Sequence, residues 1–154
     1  MRQLTVLIPA SALIWGLCVA YATASQSRGA GESGSLQTQT VWSGVYSEAQ
    51  AYRGEKVADT TCIGCHGPKL DGGDSGPKLV GETFLAGWSS QSVGVMFDWI
   101  REAMPAEAPG TLSKDDAAAV IAYILQLNKM PPGKLDLPTE PEALGRINVV
   151  AAKP

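Results

Sequence analysis

Cys62-Ile63-Gly64-Cys65-His66 constrains this chain more than any other stretch, because the single His of its 154 residues directly follows the single Cys-x-x-Cys. Two thiols three residues apart on a helical turn can each add to one vinyl group of a haem, and the next residue then places its imidazole under the iron. Other uses of the pair fit less well. A thioredoxin-like redox pair wants an apolar strand before the motif and a helix after it, whereas here a helical segment precedes and a Gly-rich loop follows. A zinc site would need a fourth ligand from Asp71 or Asp74. A structural disulfide leaves His66 without a role. The pattern points to one covalently bound haem c.

Composition narrows the function classes. Twelve Lys and Arg stand against 15 Asp and Glu, a net charge of −3. Without a basic face, nucleic acid is an improper partner for this chain. One His also excludes chemistry that needs two imidazoles.

The N-terminus reads as an export segment over residues 1–24. Arg2 precedes an uncharged, mostly apolar run from Gln3 to Ala24, and Ala22-Thr23-Ala24 is a small-residue cleavage pattern. The run is also long enough to serve as a retained membrane anchor. Leu17 before Cys18 is too large for a lipoprotein signal. Either reading places the rest outside the cytoplasm, periplasmic or held at the outer face of the inner membrane. Residues 25–40, rich in Ser, Gly, Gln and Thr, read as a flexible linker. Residues 131–154 contain five prolines together with Leu135, Leu137, Leu144, Ile147 and Val149, and read as an extended segment lying partly on the domain surface.

Between them, residues 41–130 form the expected folded unit, and three helices follow from local signals. Ser47 with Gln50 makes a capping-box pattern that starts a helix running to about Thr60. Val93, Met96, Phe97 and Ile100 fall on one helical face from about Ser92 to Ala103. Ser113 caps a third helix, with Asp115 and Asp116 at its positive end and a stripe of Ala117, Val120, Ile121, Ile124 and Leu125. The stretch from Gly64 to Gly87 carries seven glycines without period-2 patterning. The fold class is small and all-α, with long loops, and its core is thin enough to need an apolar centre such as a porphyrin.

From about Gln50 to Leu127 the sequence resembles the class I cytochrome c domain. The motifs that carry this are Cys62-Ile63-Gly64-Cys65-His66, the loop Gly76-Pro77-Lys78-Leu79, Met104-Pro105 followed by Pro109-Gly110-Thr111-Leu112-Ser113, and Ile121-Ala122-Tyr123-Ile124-Leu125 in the last helix. The resemblance implies a cofactor-binding set of Cys62, Cys65, His66, Pro77 and Met104, with His66 and Met104 on the iron and the Pro77 carbonyl accepting a hydrogen bond from the imidazole. It also implies a crossing of first and last helices, with Gly54 and Tyr123 at the matching positions. Among the methionines, Met96 lies on a core stripe and Met130 precedes a Pro-Pro stop. Met104 ends a helix where Pro105 turns the chain. Trp88, Trp99, Phe97 and Ile100 are further candidates to line the haem pocket, and Lys69 and Lys78 to face its propionates.

His/Met ligation fills both axial positions and raises the reduction potential, which leaves one-electron exchange as the chemistry. The expected role is a carrier, not an enzyme, between an exported dehydrogenase or quinol-oxidising complex and an oxidase or another cytochrome. A peroxidase-like or gas-binding protein would instead need Met104 to leave the iron. A fixed cytochrome subunit of a dehydrogenase is a third reading, to which the Trp42-Ser43-Gly44-Val45-Tyr46 lead-in and the Pro-rich tail bear some similarity.

Overall fold

The computed structural model describes residues 38–154. The export segment and residues 25–37 of the expected linker lie outside the described residues. Six helices and one pair of two-residue strands follow: β1 (Gln39–Thr40), α1 (Glu48–Thr61), α2 (Ile63–His66), α3 (Glu82–Trp88), α4 (Val93–Ala103), α5 (Lys114–Leu127), α6 (Pro141–Leu144) and β2 (Ile147–Asn148). The architecture is all-α apart from this small strand pair. None of the described helices is long and apolar enough to cross a membrane.

Each of the three helices expected from the sequence starts at its serine. The hydroxyls of Ser47, Ser92 and Ser113 accept the N–H groups of Gln50, Val95 and Asp116, satisfying donors that the first helical turn leaves free. The capping box at Ser47 is only half made. Gln50, 4% exposed, turns its amide to Leu137 instead: Nε2 donates to the Leu137 carbonyl at 3.0 Å, and Oε1 accepts the Leu137 N–H at 2.6 Å.

α5 is the centre of the molecule. Ala117 through Leu125 are all buried, so the helix carries more than the single stripe that its large residues mark. α1 covers one flank, while α4 and the C-terminal segment share a core cluster with another. The small side chains of Ala118, Ala119 and Ala122 let those neighbours approach. Closest is Gly54 of α1, where a Cβ would sit 1.8 Å from the Ala119 carbonyl oxygen. Gly54 therefore meets the α5 main chain, and Tyr123 packs one turn further on, in a cluster with Ala58, Leu70, Val120 and Ile124.

One expectation is deepened and one needs correction. Residues 131–154 lie partly on the surface, with Leu135 79% exposed, while four of their apolar side chains enter the core. Leu137, Leu144, Ile147 and Val149 are at most 4% exposed and belong to the same cluster as Val41, Tyr46, Met96 and Phe97. Prolines barred a long helix there, yet each buried leucine or isoleucine contributes roughly 1.5–3 kcal/mol of transfer free energy, which draws the segment inward. The expected linker, however, does not extend to residue 40. Gln39 and Thr40 pair in parallel with Ile147 and Asn148, and Trp42 Nε1 donates to the Val150 carbonyl at 3.1 Å. The Gly-rich stretch also contains α3, which the sequence did not signal.

Candidate functional site

α1 ends at Thr61, and Cys62 hands the chain directly to the single turn of α2, which carries Cys65 and His66. Gly67, at φ +83°, then reverses the chain so that residues 68–80 fold back beside the motif. The Gly72 N–H donates to the His66 carbonyl at 2.8 Å, and the Leu79 N–H to the Leu70 carbonyl at 2.8 Å. Glycine is required where this loop touches the motif: a Cβ on Gly73 would lie 2.3 Å from the Cys65 carbonyl oxygen, and one on Gly76 would lie 2.9 Å from both that oxygen and His66 Nδ1.

The loop delivers the Pro77 carbonyl oxygen to 2.7 Å from His66 Nδ1. A carbonyl can only accept, so Nδ1 carries the ring proton and Nε2 keeps a free lone pair. His66 is 9% exposed. On the far side of the loop, Asn128 at the end of α5 holds its return. Asn128 Oδ1 accepts the Gly81 N–H at 2.8 Å, while Nδ2 donates to the carbonyls of Leu79 at 3.0 Å and Ile124 at 2.8 Å.

Two adjoining cavities border this constellation, of about 120 and 590 Å³. His66, Pro77, Leu79, Ile100, Met104 and Ile124 line both. The smaller also touches Cys62, Cys65, Glu107, Leu112 and Val120. The larger continues past Lys78, Phe84, Trp88, Met96 and Trp99. Met104 reaches this position because α4 stops at Ala103: Met104 is extended, at φ −123° and ψ 151°, while its N–H still donates to the Ile100 carbonyl.

All five residues of the expected binding set thus come together at one cavity system, as do Trp88, Trp99 and Ile100. Phe97, 2% exposed, lies in the core cluster and lines neither cavity. Met130 is also core, its carbonyl accepting the Tyr46 hydroxyl at 2.7 Å. Met96 serves both core and cavity wall. Of the two lysines, Lys78 borders the larger cavity and Lys69 neither. Sequence reasoning missed Glu107, whose Oε1 lies 3.6 Å from Cys65 Sγ, and Asn128, while Leu112 stood in the Pro109–Ser113 motif without a role. Asn128 had a weak signal, as a polar residue closing an apolar helix; Glu107 had none.

Both thiols of the pair are free. Burial pushes the Cys62 thiol up, partly offset by the Thr61 hydroxyl, and the neighbouring Glu107 carboxylate pushes up that of Cys65. Catalytic dithiols need the opposite shift. Among the described residues no group of three or more His, Cys, Asp or Glu is placed to hold a metal ion. A haem fits the donor set: two protonated thiols at the cavity edge, an imidazole with its outer nitrogen free, a thioether, and walls of Leu79, Ile100, Leu112, Val120 and Ile124.

The family model described as cytochrome C oxidase, cbb3-type, subunit III matches residues 49–124, from the first turn of α1 to the last part of α5. Among solved structures, the chain is similar to one of the sulfane dehydrogenase SoxCD from Paracoccus pantotrophus, at 23% identity and a TM-score of 0.47 over 64% of this chain and 52% of that one. The chain therefore spans about half the length of that relative. No curated protein matches it. With the Cys-x-x-Cys-His turn, the helical frame and the family match in agreement, residues 49–124 form a class I c-type cytochrome domain.

Proposed function

We propose that this protein is an exported monohaem carrier that moves single electrons from a dehydrogenase or quinol-oxidising complex to a terminal acceptor. In this reading Cys62 and Cys65 would hold the haem covalently, and His66 and Met104 would supply the ligands to its iron. The observation that carries it is the shared border of His66 and Met104 on the same two cavities, with the Nδ1 proton committed to Pro77. The bound haem supplies a one-electron ferric/ferrous couple. The protein's residues do the rest. The Pro77 carbonyl fixes the imidazole plane and raises the basicity of Nε2. The Met104 thioether would be the second protein ligand to the iron, one that favours the ferrous state. Leu79, Ile100, Val120 and Ile124 keep water from the ring faces, and the indole N–H groups of Trp88 and Trp99 and the Lys78 ammonium are the donors available to propionates.

The excess of acidic residues favours a redox partner with a basic patch, in a small and transient complex. Transfer rates then fall as ionic strength rises.

The test is mass measurement and haem staining of the denatured chain after expression with its N-terminal segment, joined to an optical spectrum. The expected result is one added haem that survives denaturation and a thioether–iron charge-transfer band in the ferric protein. A chain of unmodified mass overturns the reading.

A further inference from the structure

Each cavity carries one charged side chain. Glu107 borders the smaller one at the cysteine end, and Lys78 borders the larger. Glu107 belongs to the turn after Met104-Pro105. Its position is set by the Ala108 N–H, which donates to the Pro105 carbonyl at 2.9 Å, and by the Thr111 hydroxyl, which donates to the Ala108 carbonyl at 2.7 Å. The Glu107 carboxylate approaches Cys65 Sγ to 3.6 Å, and Cys65 adjoins His66 in α2.

Given the haem reading proposed above, we infer that Glu107 is a charge-tuning residue that lowers the reduction potential by stabilising the oxidised centre through the Cys65 edge. A ferric centre carries one more positive charge than a ferrous one, so a carboxylate lining the cavity at the Cys65 edge favours it by Coulomb attraction. The effect opposes the thioether ligand, which raises the potential. Because Glu107 is exposed, its influence is screened by salt.

The test is redox titration of the haem-loaded wild type and of the variants Glu107→Gln, Glu107→Lys and Glu107→Asp at low and high ionic strength, with the ferric charge-transfer band recorded for each. Glu107→Gln raises the midpoint potential and Glu107→Lys raises it further, by up to roughly tenfold in the reduction equilibrium, equivalent to about 59 mV for one electron. Glu107→Asp stays near the wild type. The differences contract in high salt. If Gln and Lys variants that hold haem titrate with the wild type, or if Asp and Gln shift it equally, the inference is overturned while the haem reading stands. A wild type without attached haem overturns the haem reading instead.

Discussion

The Pro77 carbonyl oxygen and His66 Nδ1 lie 2.7 Å apart, and Gly76 is what allows that approach. A Cβ at position 76 would press on Nδ1 and on the Cys65 carbonyl at 2.9 Å. Gly76→Ala therefore loosens the hydrogen bond, lowers the basicity of the ligand nitrogen and raises the midpoint potential. Unlike a change at Glu107, the shift persists in high salt. Redox titration at two ionic strengths checks this.

Met104→Ala removes the thioether that borders both cavities. The ferric charge-transfer band disappears, the ferrous protein binds carbon monoxide, and the potential falls. A variant that kept the band would direct attention to Met96, which also lines the larger cavity.

Gly54→Ala tests the helix crossing. The new Cβ would lie 1.8 Å from the Ala119 carbonyl oxygen and 2.9 Å from the Val120 nitrogen, both main-chain atoms that no rotamer change can move. Overpacking of this kind costs about 3 kcal/mol or more. Denaturant unfolding of the haem-loaded protein gives the value.

Asn128→Ala leaves the Gly81 N–H and the Leu79 carbonyl without their side-chain partner. Orphaned groups at a part-buried site cost roughly 1–3 kcal/mol each. Hydrogen exchange should quicken at residues 79–81 before it quickens in α5.

Asp136 gives a pH dependence with a definite sign. The Ser47 hydroxyl first, and then the Arg53 guanidinium, hold its carboxyl below the ordinary value of 3.8. A carboxyl depressed in the folded state stabilises above its unfolded value, and that contribution is lost as pH falls from about 3.8 through the folded value. With its side chain 49% exposed, the contribution is below about 1 kcal/mol and shrinks in salt. Acid unfolding curves of Asp136→Asn and wild type should converge at low pH and separate above it.

What the sequence made legible was local. The three serine caps, the stripe on α4 and the Cys62–His66 turn each depend on residues within a few positions of one another. The missing parts depend on distant partners. Gln50 looked like half of a capping box, and no nearby residue announced that its amide would meet Leu137. The apolar residues of the tail signalled that it is not free, but not that Leu144 and Val149 would join the cluster of Val41, Tyr46 and Phe97. Around the site, Cys62, Cys65 and His66 came from spacing, and Pro77 from resemblance. Glu107 came from neither, because a carboxylate in a loop has no periodicity to betray its neighbour.

The seating of Gly54 against the α5 backbone bears on how quickly charge can move. Val120 and Ile124, which wall the cavity, stand on the helix that this crossing immobilises. Close-packed interiors barely compress, so a haem held there as proposed would meet walls that keep nearly the same shape in both oxidation states. Stiffness of the scaffold would then limit the nuclear rearrangement that accompanies each electron exchange.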